Sequence, residues 1–149
     1  IHAPGIVKDR IVRDALVTDP QVADTLDLAR RADVALVGIG VFEPGSTLLA
    51  GSTLTQEEVS DLKAHGVAGD IALQFFDGHG NRVDHPINNR IVGTDIEKIK
   101  AIPRVIGVAG GPEKLTAIQA ALHGGLINVL VTDDQTAARL LDQAILSVR

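Results

Sequence analysis

The chain has 149 residues, which is enough for one domain with a sizeable core. Its 14 Lys and Arg stand against 19 Asp and Glu, so the formal net charge is −5, and it contains three Phe but no Trp, Tyr or Cys. These counts exclude disulfides, cysteine nucleophiles and cysteine-ligated metal centres, and they argue against a basic, aromatic-lined surface for nucleic acid.

The ends of the chain and its hydropathy bear on where the protein works. No apolar run approaches the ~20 residues that a membrane helix needs, and the start, Ile1-His2-Ala3-Pro4, lacks the basic and apolar regions of a signal peptide. We therefore expect a cytoplasmic protein without a membrane partner. Because the first residue is Ile rather than Met, we also expect the chain to be part of a longer protein.

The first predicted elements are a helix and a strand. Asp19 is a good N-cap and Pro20 suits the first helical position, so a helix is predicted from there to about Arg31. The run 34–40, VALVGIG, is apolar, rich in β-branched residues and too short for a good helix. Such a run is typical of a strand that is buried on both faces.

A second helix and a hairpin follow. Thr55 and Glu58 form a capping-box pattern, which predicts a helix that ends at Gly66. The stretch Ile71–Phe76 predicts one strand, and a turn cluster after it predicts a return over Arg82–Asp84 as a hairpin.

The second half repeats the alternation. Thr94 begins another capping-box pattern before a short helix, and the runs 105–111 and 126–132 predict two more strands buried on both faces. A helix is predicted from Pro112, with Leu115, Ile118, Ala121 and Leu122 facing inward, and a last one over 133–146 with Asp133 at its cap. The alternation predicts an α/β fold: a mostly parallel twisted sheet with flanking helices and a small antiparallel hairpin insertion.

The strongest local signal for a site lies where the predicted strand 105–111 ends. Ligands of open α/β sheets bind at the carboxyl ends of the strands. There, Gly110 and Gly111 precede a predicted helix start, and glycines beside free helix N–H groups favour an anion. Lys114 lies in the first helical turn, where a bound phosphate or carboxylate would explain a cation. A plain strand–helix turn with an exposed lysine stays open as the alternative.

Other polar residues give weaker signals. Asp70, at a strand start, suits hydrogen bonds from sugar hydroxyls, with an ordinary turn role as the alternative. The loop 41–53 is rich in glycine and hydroxyl side chains, and it is either a ligand loop or a plain surface loop. His79 and His85 flank the hairpin turn, but the histidine spacing predicts no metal site, and no residue pattern predicts a cofactor or a catalytic triad.

Several motifs, in order along nearly the whole chain, carry a resemblance to a known family. They are Ala3-Pro4, the strand DVALVGIG at 33–40, Gly66 through Ile71, Phe76-Asp77 with Gly80, the stretch IPRVIGVAGG at 102–111 with Lys114, Ala117-Ile118 and Ala120-Ala121-Leu122, and LVTD at 130–133 with Thr136-Ala137. Together they resemble the C-terminal part of SorC-type sugar-binding transcriptional regulators.

The resemblance implies an effector-binding domain related to sugar-phosphate isomerase and CoA-transferase-like folds. It implies a phosphorylated sugar or related metabolite as effector, and a homodimer or homotetramer built through these domains. By position, Asp70 would accept hydrogen bonds from ligand hydroxyls and Lys114 would pair with phosphate, while Gly110 and Gly111 would admit the ligand to the backbone. The loop around Leu48 to Ser52, including Gly51, would contribute walls or a lid.

The resemblance also implies parts of the family pattern that these residues do not match. The helix-turn-helix domain is absent, so DNA would be bound only through a domain outside this chain. A strand and a glycine- and threonine-containing loop that precede the Ala3-Pro4 region in the family are absent too, which predicts an incomplete pocket and an exposed sheet edge.

Two other functions stay open at this point. One is a sugar-phosphate isomerase or deaminase on the same fold, with Asp70, Glu43 or Asp77 as formal candidates for the general base that an isomerase needs. The other is a chain that serves only as an oligomerisation core.

Overall fold

The computed structural model describes residues 1–41 and 54–147, with side chains as far as residue 143. The helices of this part are α1 Arg10–Thr18, α2 Pro20–Arg30, α3 Gln56–Ala64, α4 Ile96–Lys100, α5 Leu115–His123 and α6 Asp134–Ser147. Its strands are β1 Val34–Gly40, β2 Val67–Ile71, β3 Gln74–Asp77, β4 Arg104–Val108 and β5 Val129–Val131. Short 3₁₀ turns cover Pro86–Arg90 and Pro112–Lys114.

Within the described residues, the strands form one sheet in the order β3-β2-β1-β4-β5. β1 pairs in parallel with β4, and β4 pairs in parallel with β5. β2 runs antiparallel to both β1 and β3. The three apolar runs predicted as strands are therefore parallel neighbours. The predicted antiparallel hairpin is formed by β2 and β3, which lie earlier in the chain than the two strands predicted for it.

The hairpin itself corrects the sequence prediction. The stretch Ile71–Phe76 is not one strand, because the chain turns at Ala72 and Leu73, with φ values of 50° and 65°. Two successive left-handed residues are the geometry of a type I′ turn, which usually carries Asn-Gly, so Ala-Leu gives no sequence signal. The predicted return over Arg82–Asp84 is reduced to an isolated bridge between Phe76 and Arg82.

The helix starts show which capping signals were reliable. Asp19 caps α2 as predicted, and Thr55 forms both hydrogen bonds of its capping box at α3. The box predicted at Thr94 is wrong: Asp95 is the cap residue of α4, and its side chain makes no cap hydrogen bond. Helix α1 was not predicted from the sequence.

One face of the sheet packs against α5 and forms the largest core cluster. Its members include Ile39, Ile71 and Val105 from the strands and Ala117, Ile118, Ala120 and Ala121 from α5. Ile118 and Ala121 are inward as predicted, but Leu122, which was also predicted inward, is exposed. The small alanines bring α5 close to the strands: a Cβ on Gly69 would lie 2.8 Å from the Ala117 Cβ.

The other face is covered over only half of its width. Behind β2 and β3, Phe75 packs with Ile6, Leu62 and Ile87, and a third cluster joins the first two helices to Val92. Over β1, β4 and β5 the same face is largely exposed in the described part of the chain, which contradicts the predicted burial on both faces. We call this surface the open face; its members are Val34, Leu36, Arg104, Val108, Val129 and Val131, which are exposed, and Ile106, which is half-buried.

Among the described residues, no helix combines the length and the apolar character that crossing a membrane requires.

Candidate functional site

The sheet brings the predicted site residues to one edge. Because β1, β4 and β5 are parallel neighbours, their carboxyl ends lie on the same side of the molecule: Gly40 is the last residue of β1, the Gly110-Gly111 turn follows β4, and Asp133 follows β5. β2 runs the other way, and Asp70 lies directly opposite Gly40 in the pairing. This is the edge at which open α/β sheets bind ligands.

Asp70 is a buried carboxyl group held against bare backbone. Its residue is 8% exposed, and its Oδ2 accepts a hydrogen bond from the Leu73 N–H at 3.2 Å. A Cβ on Gly40 would clash with the Asp70 carboxylate, so glycine there makes the room that this side chain occupies. Burial raises the pKa of Asp70 above its usual value of 3.8, against opposing effects of the Leu73 hydrogen bond and the Lys114 charge.

Lys114 lies at the end of the second 3₁₀ turn and is half-buried. Its charge lowers the pKa of Asp70, so the fold brings these two predicted site residues within electrostatic reach of each other. They form no direct ion pair in the described part of the chain. The Asp70 carboxylate, which can accept hydrogen bonds from hydroxyl groups, and the Lys114 ammonium group therefore lie near one another without direct contact.

The Gly110-Gly111 turn is occupied by the chain's own carboxylates. The Gly111 N–H donates to Asp133 Oδ2 and to Thr136 Oγ1, each at 3.0 Å, and Gly111 has a φ of 104°. A Cβ on Gly110 would clash with the Asp133 carboxylate, and one on Gly111 would lie 2.6 Å from Glu113 Oε1. Close contacts within the chain therefore explain why both positions are glycine, and the role of Gly110 and Gly111 in ligand binding stays a prediction.

Asp133 is the predicted cap of the last helix, and it does more than cap. Its carboxylate accepts hydrogen bonds from the Thr136 hydroxyl at 2.7 Å and the Thr136 N–H at 2.8 Å, and these bonds lower its pKa. The further bond to Gly111 ties the two neighbouring strand ends together. Sequence reasoning missed this link because it joins positions 22 residues apart.

The same edge holds one polar atom that the protein leaves unused. Within the described residues, the Thr132 hydroxyl is buried and has no hydrogen-bond partner. It directly follows β5, next to Asp133. Leu48 and Gly51, the two loop residues predicted to line the site, lie outside the described residues.

A second polar cluster lies between α3 and the first 3₁₀ turn. Asp61, His65 and His85 each offer a ligand atom within 4.8 Å of the others. His85 Nδ1 accepts the Ile87 N–H at 3.2 Å, so its Nε2 carries the proton and donates to Asp61 Oδ2 at 2.9 Å. Both ring nitrogens of His85 are thereby hydrogen-bonded, and these bonds join α3 to the first 3₁₀ turn.

The i, i+4 spacing of Asp61 and His65 on a helix was a signal in the sequence, but the prediction considered His85 together with His79 instead. The connection is strengthened nearby by an ion pair between Glu58 of α3 and Arg90 of the 3₁₀ turn. Arg90 also donates to the Val7 carbonyl oxygen at 2.7 Å. These contacts fix α3, and with it the covered part of the sheet next to Asp70.

Comparison with known proteins identifies the family. The family model described as "Putative sugar-binding domain" matches residues 1–142. The chain belongs to this sugar-binding domain family. The transcriptional regulator LsrR of Enterobacter sp. (strain 638) is 37% identical over 144 residues, which are 95% of this chain and 45% of that protein.

Solved structures agree with the family and with the fold. The sugar-binding domain of a transcriptional repressor from Vibrio fischeri superposes with a TM-score of 0.86 at 33% identity, covering 96% of this chain and 57% of that one. The full-length sorbitol operon regulator SorC from Klebsiella pneumoniae gives 0.85 at 33% identity, covering 95% and 46%. The predicted SorC-type resemblance and the α/β fold class are confirmed, and the chain spans about half the length of these relatives.

Proposed function

We propose that this chain is the effector-binding module of a sugar-responsive transcriptional regulator, and that its effector is a phosphorylated sugar or a related metabolite. The effector would bind at the carboxyl edge of the sheet. Asp70 would accept hydrogen bonds from sugar hydroxyls, and Lys114 would pair with the phosphate. Gly110, Gly111 and the loop that contains Leu48 and Gly51 would line the same site.

One observation carries this proposal. Asp70 is a buried carboxylate that Gly40 makes room for, and the Lys114 ammonium group, which has no ion-pair partner among the described residues, lies within electrostatic reach of it. Keeping a charged carboxylate in a buried position is costly, so such a group needs a purpose other than stability. A hydrogen-bond acceptor at Asp70 and a cation at Lys114 together suit a ligand that carries both hydroxyl and phosphate groups.

The experiment that tests the site is a titration of paired ligands. Lys114→Ala is expected to weaken a phosphorylated sugar by about 10- to 150-fold, the ratio that corresponds to the ~1.5–3 kcal/mol of a hydrogen bond to a charged group. The matching unphosphorylated sugar is expected to bind the variant and the parent equally. Lys98→Ala, at an exposed lysine of α4, is the matched control and is expected to change neither affinity.

Equal losses for the sugar phosphate and for the free sugar in Lys114→Ala would contradict the phosphate role of Lys114. The titration is done by isothermal calorimetry, which reports the affinity of each ligand directly.

Regulation is the second part of the proposal. Relatives of this chain are named as transcriptional regulators, and they hold about as much chain again outside the matched part. The effector would shift an equilibrium between quaternary arrangements of a homodimer or homotetramer in the cytoplasm. DNA would be contacted only by a separate helix-turn-helix domain, and the module itself would not be an enzyme.

One observation supports a second candidate function. A buried carboxyl group with a raised pKa, as at Asp70, is also what a general base needs, so a sugar-phosphate isomerase or deaminase remains the alternative. Asp77 suits that role poorly, because its carboxylate accepts the His79 and Asn81 N–H groups of a turn, and Glu43 lies outside the described residues. Turnover of a sugar phosphate by the purified protein, lost in Asp70→Asn, would establish the enzyme instead.

A further inference from the structure

We propose that Asp61, His65 and His85 form a binding site for a divalent transition-metal ion, with zinc as the ion that fits best. The site lies between α3 and the first 3₁₀ turn, and it shares no residue with the proposed effector site. The proposal therefore does not depend on which ligand binds at the edge of the sheet.

Three metal-binding side chains from two parts of the chain converge here. Asp61 and His65 are four residues apart at the end of α3, so their side chains lie on the same face of the helix. His85 reaches them from the residue that precedes the 3₁₀ turn. Each residue offers one ligand atom, and the three atoms lie within 4.8 Å of one another. Sequence spacing did not predict this convergence, because His85 lies 24 residues after Asp61.

The distances between the ligand atoms are close to those of a metal site. With bonds of about 2.0–2.1 Å, two ligand atoms of a tetrahedral zinc ion are about 3.3 Å apart. Asp61 Oδ2 and His85 Nε2 are 2.9 Å apart, so this pair has to separate only slightly to admit an ion. The remaining adjustment falls on His65, whose side chain is 47% exposed and is not confined by the core.

The fold holds the ligands in place and leaves them open to solvent. The His85 side chain is 5% exposed, whereas the Asp61 side chain is 54% exposed. An ion would thus enter from solvent past Asp61 and His65 and bind against a buried imidazole. Leu62, which is fully buried, and the ion pair between Glu58 and Arg90 anchor α3 beside the 3₁₀ turn.

The protonation state of His65 suits a ligand. Its Nδ1 lies 2.8 Å from the Asp61 carbonyl oxygen, which can only accept, so Nδ1 carries the proton and Nε2 keeps a free lone pair. A histidine that donates one N–H to a carbonyl oxygen while its other nitrogen binds the ion is the usual arrangement at metal sites.

His85 would exchange one hydrogen bond for the metal. Its Nε2 donates a proton to Asp61 Oδ2, and the ion would take the place of that proton. The ring stays neutral when Nε2 loses its proton to solvent and Nδ1 gains one. The Ile87 N–H then gives up its 3.2 Å bond to Nδ1, so metal binding should be visible at the Ile87 amide.

The donor set selects the class of ion. Two imidazole nitrogens and one carboxylate suit zinc, whereas Mg²⁺ and Ca²⁺ prefer oxygen ligands. Three protein ligands leave a fourth position of a tetrahedral ion for water. Such an ion would cross-link α3 to the 3₁₀ turn, so we expect it to stabilise the folded chain.

Calorimetric titration of the EDTA-dialysed chain with zinc chloride tests the proposal. The chain contains no cysteine, so no thiolate competes for the ion. His65→Ala removes one ligand, and Asp61→Asn replaces the carboxylate by an amide of the same size. His79→Ala is the matched control, at an exposed histidine of the turn after β3. The Tm of each protein in EDTA confirms that it is folded, and either ligand variant suffices for the comparison.

We expect the parent chain to bind one zinc ion with a Kd below about 10 µM. Zinc should raise its Tm, and Mg²⁺ at the same concentration should not. His65→Ala and Asp61→Asn should bind zinc at least ~10-fold more weakly, and His79→Ala should bind it as the parent does. In NMR spectra, the Ile87 amide resonance should shift as zinc is added.

A parent chain that binds no zinc below that Kd would overturn the proposal. Equal zinc affinity in the parent and in a folded ligand variant would also overturn it, because the ion would then lie elsewhere on the surface. An Ile87 amide that does not shift while zinc binds would exclude His85 as a ligand. No sugar or phosphate is added in any arm, so a failure here is distinguishable from a failure of the proposed effector site.

Discussion

Asp70 is the residue at which stability and the proposed function conflict. Its carboxyl group is buried, and its raised pKa means that the folded chain binds a proton there more tightly than the unfolded chain does. The stability that this group contributes is therefore fully present below the unfolded pKa and is lost as the pH rises through the raised folded value. At a pH above that folded value the ionised carboxylate destabilises the fold.

Asp70→Asn is expected to raise the Tm at pH 7 by a few degrees and to flatten the decline of stability between about pH 4 and pH 7. The reason is that an amide oxygen can still accept the Leu73 N–H while the buried charge is removed. The measurement is the Tm of both proteins across this pH range, together with ligand affinity, which should fall. A variant less stable than the parent at pH 7 would contradict the account of Asp70.

Two glycines of β1, Gly38 and Gly40, allow a controlled test of the close approach of Asp70 to this strand. Gly40→Ala is expected to destabilise the chain by about 1–3 kcal/mol, the usual cost of overpacking, because the new methyl group would collide with the Asp70 carboxylate. Gly38→Ala, on the same face of the same strand, meets nothing within 4 Å and should cost nothing. Urea unfolding of both variants measures the difference.

Adding Asp70→Ala to Gly40→Ala should remove most of the cost, since the clash then has no partner. If Gly38→Ala and Gly40→Ala are equally destabilised, the close approach of Asp70 to β1 is wrong.

At the scale of elements, the sequence predicted what has a local cause. Continuous apolar runs predicted β1, β4 and β5, and the capping box at Thr55 predicted the start of α3 with both of its hydrogen bonds. The turn at Ala72-Leu73 could not be predicted, because its two left-handed residues are held by the Asp70 carboxylate and by packing of Leu73. These are tertiary contacts that no local pattern encodes.

The anchoring of α3 yields a graded prediction at His85. His85→Ala removes both the Ile87 cap and the bond to Asp61 and should cost about 2–3 kcal/mol. His85→Asn keeps an acceptor where Nδ1 stood, so it should recover about 1 kcal/mol, the worth of a helix cap. Chemical denaturation of the two variants provides the comparison, and equal losses would show that Nδ1 does not cap the 3₁₀ turn.

At the scale of the whole molecule, the candidate site was predicted in part. The carboxyl edge was predicted from the order of strands, and the structure brings Asp70 and Lys114 within electrostatic reach there. The link from Gly111 to Asp133 and Thr136 was not predicted, because it depends on how two strand ends meet in space. The open face was missed for a different reason: a continuous apolar run predicts burial on both faces, whereas these strands leave Leu36 and Val131 exposed.

Thermal unfolding in the presence of ligands tests the central claim most directly. The 149-residue chain is screened against sugar phosphates, their free sugars and inorganic phosphate. At 100 times Kd a ligand adds about 2.7 kcal/mol, or a Tm shift of about 5–10 °C for a domain of this size. The account predicts such a shift with a sugar phosphate and none with its free sugar or with phosphate at the same concentration. No shift with any sugar phosphate, in a chain that unfolds cooperatively, would contradict it.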